Sequence, residues 1–298
     1  MALIPPHFSK SVVAIGNMDA NGVPSWVASG FFFGRFVAQV DADNQTFSCF
    51  LVTNKHVLSG LTAPVIRANP VGSDPAADLP LSLVDAVGAP LWVGHPDPEV
   101  DVVVTGIGLE LMRGQGFDVA FIPDSHAFTL SRMQSEGVSE GDALFLFGFP
   151  MALVFGPRSS AVVRGGTLAQ VQAAYEGYAK SYIVDGYVFP GNSGGPVFNK
   201  PENISISGTQ SVASANLIGI VSSYLPYRDV AISAQTGRER IVFEENSGLV
   251  NVFPVDSIEQ TIDAWAVLHP PAPAETVLQE ETPSVEDSQG DLAPGAGL

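Results

Sequence analysis

Cysteine is nearly absent from this chain: Cys49 stands alone among 298 residues, which excludes any intrachain disulfide. It lies in TFSCFLVT, an apolar strand-like run, and is read as a buried structural thiol rather than a nucleophile. Basic residues are scarce as well, 13 Lys and Arg against 31 Asp and Glu, for a net charge of −18. A nucleic-acid backbone needs a positive surface, so a nucleic-acid partner is not expected. No Lys or Arg follows Arg240, while acids continue to the end. That excess reads as solubility, with repulsion of acidic substrates or recruitment of a basic partner as the alternative. No apolar run approaches the roughly 20 residues that span a bilayer, so no membrane role is expected. MALIPPHFSK lacks a basic stretch followed by an apolar one, and the expectation is a cytoplasmic protein. The five histidines do not cluster at metal-ligand spacing, so neither metal nor organic cofactor is expected.

What the chain does have is apolar content, 46%, together with 30 glycines and 23 prolines that break it into short runs. SVVAIG, SWVASGFFFGRFV, FSCFLVTNKHVL, DVVVTGI, DALFLFGF, SAVVRGGTLAQV, SYIVDGYVF, GPVFN and NLIGIVSSYL all read as strands. One helix stands out near the end, where Ile258, Ile262 and Trp265 recur at helical spacing. Ser257 with Gln260 three residues on is a capping-box pattern for its start. Many short strands and one late helix predict an all-β barrel or sandwich. From residue 269 the chain turns rich in Pro, Ala and Glu, with six acids and no base. Residues 269–298 are therefore read as a disordered acidic tail.

Three segments carry chemistry. FPGNSGGPVF, residues 189–198, holds a serine among glycines that let the backbone turn sharply, with neighbouring N–H groups converging. Taken alone, such a loop is an ordinary β-turn more often than not. FLVTNKHVL, residues 50–58, ends an apolar strand with His56, which by itself reads as a core imidazole. HPDPEVDVVVTGI, residues 95–107, places Asp101 at the start of an apolar strand, either as a turn residue or as a carboxylate carried in beside an imidazole.

Taken jointly, TNKHVL resembles the TAAHC-type histidine motif of the trypsin-like serine proteases, and PGNSGGPV resembles their GDSGGP serine motif. The chain order His, Asp, Ser is also that family's. Forty-five residues separate His56 from Asp101 and 92 more lead to Ser193, spacings similar to the family's. SGFFFG, LIGIVSSY and SGLVNVFPVDSIEQTI resemble the strand before the histidine, the cleft strand, and the closing strand with its helix. The resemblance covers roughly residues 10–267, and is closest to cytoplasmic bacterial members. It implies two packed six-stranded β-barrels with a C-terminal helix, residues 1–268, in halves of about 1–135 and 136–268. It further implies a serine endopeptidase working through an acyl-enzyme, with Ser193 as nucleophile, His56 as base and Asp101 as third member. The N–H groups of Gly191 and Ser193 would form the oxyanion hole. GFDVAFIP also resembles the aspartate strand, which keeps Asp118 open as a rival.

By register with the serine motif, Tyr187 falls at the base of the primary pocket, with Ser222, Ser223 and Tyr224 as one wall and Gly248 as another. No Asp stands where the trypsin type carries one, and Val221 rather than His precedes Ser222, so a neutral side chain is the expected preference. The alternative is that Tyr187 fills the pocket. Asn192 replaces the acid that pairs with a freshly cut N-terminus in digestive members, so no N-terminal processing is expected. Residues 225–246 form a longer segment than compact members carry, either a plain surface hairpin or a lid. Through it or through the acidic tail the chain is open to a protein partner, besides its protein or peptide substrate. Two other readings stand beside the peptidase: a protease-fold binding module that is inactive or activated by a partner, and an esterase-like hydrolase.

Overall fold

The computed structural model describes residues 3–42, 44–204 and 206–269, and a strand at 275–278. The N-terminal half contributes β1 (Val12–Met18), β2 (Pro24–Gln39), β3 (Asn44–Thr53), β4 (Pro64–Ala68), β5 (Ala77–Pro80), β6 (Trp92–Gly94), β7 (Val103–Gly106) and β8 (Ile122–Pro123). They pair in the order β5-β4-β1-β2-β3-β7-β6, with β8 added parallel to β2. The C-terminal half contributes β9 (Ala143–Gly148), β10 (Val162–Gln170), β11 (Tyr182–Asp185), β12 (Pro196–Asn199), β13 (Leu217–Ile232) and β14 (Glu239–Pro254). These six close into a barrel, β10-β11-β14-β13-β12-β9. The expected all-β class is thus found, with the closed barrel in the second half and an open nine-stranded sheet in the first. That sheet includes β15 (Glu275–Leu278), antiparallel to β3, inside the stretch read as disordered. The rest of that stretch beyond His269 lies outside the described residues.

Alternation explains the strands: Phe31 and Phe33 enter a different core from Phe32, as successive side chains must. One core fills each half, and a third, containing Phe8, Phe31, Phe147, Phe198 and Ile258, lies between the halves. The C-terminal helix, Val255–Leu268, crosses this seam, with Trp265 edge-on to Phe50 at 5.1 Å. Its start differs from the capping-box expectation. Pro254 occupies the cap position and Ser257 lies inside the first turn, buried. Gln260 instead meets the His95 ring at 2.8 Å. The segment TNKHVL also departs from a continuous strand: after Thr53 the chain turns at Asn54 into a short helix, Lys55–Ser59.

The N-terminal segment is anchored on the seam. Phe8 stacks on Phe198 at 4.8 Å, and the His7 and His126 rings meet Phe8 edge-on at 4.6 and 5.3 Å. Burial lowers the pKa of both imidazoles. His7 is lowered further by His126 and Lys10; for His126 a backbone contact at Ala215 opposes the shift and Arg132 adds to it. The folded chain therefore binds fewer protons than the unfolded chain as pH falls below about 6.5. Stability contributed by neutral His7 and His126 is present above that pH and lost as pH drops toward their folded values. Thermal melts between pH 7.5 and 5.5 should show a falling midpoint, with a shallower fall in the double variant His7→Gln, His126→Gln. Equal slopes for the two proteins would exclude this cause.

Candidate active site

His56 is set by the short helix that follows β3, and Asp101 stands two residues ahead of β7, which pairs with β3. That pairing brings the two together. Asp101 Oδ2 lies 2.5 Å from His56 Nδ1, and its Oδ1 accepts the His56 backbone N–H at 3.0 Å. The Asp101 carbonyl accepts from Asn54 Nδ2 at 2.7 Å, and Ser222 Oγ reaches Oδ2 at 3.4 Å. The carboxylate thus grips both the ring and the main chain of one histidine. Asp118, the rival, is elsewhere: it pairs with Lys10 at 2.9 Å on a partly exposed surface.

Ser193 comes from the loop between β11 and β12. Gly191 and Gly194 adopt φ of +103° and +84°, a region side chains avoid. Space forbids a side chain too: a Cβ on Gly191 would lie 2.3 Å from the Phe149 carbonyl, and one on Gly195 2.0 Å from that of Phe147. On Gly194 it would lie 2.1 Å from the Ser29 carbonyl and 2.2 Å from Thr53 Oγ1. Gly194→Ala is accordingly expected to destabilise the fold by about 4 kcal/mol or more, since left-handed strain and backbone overlap add. Denaturant midpoints would show it; a loss under about 1 kcal/mol would mean the loop yields freely.

The peptide planes of the loop are fixed one by one. The Pro190 carbonyl accepts from Met151 N–H at 2.6 Å, the Gly191 carbonyl from Ser29 Oγ at 2.6 Å, and the Ser193 carbonyl from Ser29 N–H at 2.9 Å. Asn192 N–H donates to Phe189 and Gly194 N–H to Val221. Among the described residues, the N–H groups of Gly191 and Ser193 donate to nothing within the chain. In trans peptides they point opposite to the Pro190 carbonyl, held by Met151, and the Asn192 carbonyl, which accepts from Gly195 N–H at 2.9 Å, as a pair of free donors flanking the serine. Met151, with Ala152, takes a left-handed φ without being glycine, 54° and 57°, in the segment that holds Pro190. Strain of this kind persists only where surroundings impose it.

A cavity of about 210 Å³ opens here, lined by His56, Ser193, Val188, Phe189, Val221 and Tyr224 among others. Among the described residues, no carboxylate or ammonium group lines it. The Arg164 guanidinium lies over the ring of Phe189, one of the lining residues, 5.5 Å from its centroid. Ser222 and Ser223 also line the cavity, but Tyr187 and Gly248 do not. Tyr187, expected at the base, is 56% exposed. Its ring lies 3.6 Å from where a Cβ of Gly248 would stand, so the two pack on each other outside the cavity. The Ser193 hydroxyl donates to the Ser222 carbonyl at 3.0 Å. No hydrogen bond joins it to His56 among the described residues.

Across the cleft, Lys180 pairs with Asp97 at 2.5 Å and Glu99 at 2.6 Å, tying the second half to the turn before Asp101. These bonds raise the Lys180 pKa, and Lys180 lowers that of Asp97. Neither this clamp nor the Ser29 contacts were read from the sequence, because nothing local marks partners so distant in the chain.

The trypsin-like peptidase domain model matches residues 28–204, a span that contains His56, Asp101 and Ser193. The chain belongs to that family, and the fold supports a peptidase-type, hydrolytic function. No curated protein matches it. Among solved structures it is similar to the apo MamO protease domain from Magnetospirillum magneticum, at 16% identity. That likeness covers 85% of this chain and 96% of that one, with a TM-score of 0.44. It is also similar to GrC, at 15% identity over 87% and 97% of the two chains, with a TM-score of 0.42.

Proposed function

We propose that the chain is a serine endopeptidase using Ser193, His56 and Asp101. The observation that carries this reading is the two-point grip of Asp101 on His56 at the mouth of the cavity that holds Ser193. A turn of the Ser193 side chain away from the Ser222 carbonyl brings its hydroxyl toward the imidazole. Ser193 Oγ then attacks the scissile carbonyl carbon while His56 Nε2 takes its proton. Asp101 holds Nδ1–H and balances the imidazolium. The oxyanion is met by the N–H groups of Gly191 and Ser193. Collapse passes the His56 proton to the leaving amine, and water repeats the sequence on the acyl-enzyme. The uncharged lining supports preference for a neutral side chain before the scissile bond. Asn192 is fully buried, with its Oδ1 accepting from Phe189 N–H, which supports activity without N-terminal cleavage.

One observation favours a second reading, a module inactive until a partner binds: the Ser193 hydroxyl is committed to Ser222 rather than to His56. Treating the intact chain with a fluorophosphonate and locating the adduct by peptide mass spectrometry separates the two. An adduct on Ser193, with peptides bearing Val, Leu or Ala hydrolysed faster than those bearing Arg or Glu, is the expected result. An unlabelled Ser193 would hand the case to the second reading.

A further inference from the structure

Ser29 occupies a junction of four segments. It sits in β2, belongs to the N-terminal half, and is wholly buried. Its N–H donates to the Ser193 carbonyl at 2.9 Å and its hydroxyl to the Gly191 carbonyl at 2.6 Å. The same hydroxyl accepts Phe149 N–H at 2.9 Å, and its carbonyl accepts from Thr53 Oγ1 at 2.8 Å. One residue therefore holds the carbonyls on both sides of the peptide that carries the Ser193 N–H.

This matters because glycine is the residue least able to hold its own dihedrals. Gly191 carries one of the two free donors. Its φ is pinned from outside by the Met151 bond to the Pro190 carbonyl, and its ψ by the Ser29 hydroxyl on its own carbonyl. No charge does this work: Asn192 is neutral, and its Nδ2 is buried without a hydrogen-bond partner among the described residues. We propose that Ser29 is a positioning residue for the oxyanion hole, its hydroxyl locking the Gly191–Asn192 peptide so that both donors face the substrate carbonyl without an activating cleavage. This rests on the peptidase reading above.

The hydroxyl acts on the transition state through the donor geometry and does not touch the ground-state substrate. Ser29→Ala removes it; Ser29→Cys keeps the branching with a slightly larger atom but donates only weakly. Each should lower kcat about 10- to 100-fold, with KM changed less than threefold, because a displaced donor forfeits part of what a deleted one loses. Affinity for a peptide aldehyde, which forms a tetrahedral adduct, should fall in parallel. Peptide affinity measured on the Ser193→Ala background should not move when Ser29→Ala is added. Folded variants with wild-type kcat and wild-type aldehyde affinity would overturn the proposal. So would loss of cooperative unfolding in both, which would make the hydroxyl a determinant of the fold. An intact wild type inert to fluorophosphonate would overturn the peptidase reading itself, and this inference with it.

Discussion

Alanine in place of Ser193 is expected to reduce turnover by a factor of about a million, leaving substrate binding within a few-fold of wild type. The size follows from the way the site works as a unit. Without the Oγ, His56 has no proton to take and no acyl-enzyme forms; only the oxyanion donors and binding remain. The substitution removes one half-buried hydroxyl whose partner is the Ser222 carbonyl. The thermal midpoint should therefore stay near wild type. Initial rates on a cleaved peptide, with binding measured separately by fluorescence anisotropy, give the comparison. A residual rate above about a hundredth of wild type would show that another group is the nucleophile.

Asp101→Asn is expected to lower kcat by about 10⁴, and Asp118→Asn to leave it within about twofold. An amide at position 101 retains the shape and can still accept the His56 backbone N–H. It cannot balance the imidazolium, and its NH₂ turned to Nδ1 selects the tautomer with the proton on the wrong nitrogen. Asp118 contributes a surface ion pair with Lys10, both side chains more than a third exposed, so its loss costs at most about 1 kcal/mol of stability. Parallel pH–rate profiles test the pair of variants. A large loss in Asp118→Asn with little in Asp101→Asn would reverse the assignment.

Much of this was legible in the chain. Alternating apolar residues in SWVASGFFFGRFV mark a strand that feeds two cores, and β2 does so. The glycines of PGNSGGP announce a loop no side chain could replace, and the contacts at Gly191, Gly194 and Gly195 give the reason. Other readings missed on local physics. Residues 54–58 look like strand continuation because Val57 and Leu58 are apolar, yet a helical turn buries both equally well. Ser257 has capping chemistry but not the capping position: the helix already begins at Val255 behind Pro254, which leaves Ser257 inside the first turn, and Asp256 is spent on the Leu130 N–H. Tyr187 was placed by counting from the serine, and counting carries no information about which way a ring turns.

By itself the sequence determined the class of fold and the need for a glycine loop around Ser193, because periodicity and glycine requirements are local properties of the chain; His56 was singled out only by its resemblance to a family motif read together with that loop. The choice of Asp101 over Asp118 as the neighbour of His56 was decided only by the β3–β7 pairing. The arrest of the Gly191 peptide by Ser29, 162 residues away, was decided only by the packing of one half on the other. Both depend on which strands lie side by side, and a hydrogen bond between distant residues leaves no periodic trace in the sequence that makes it.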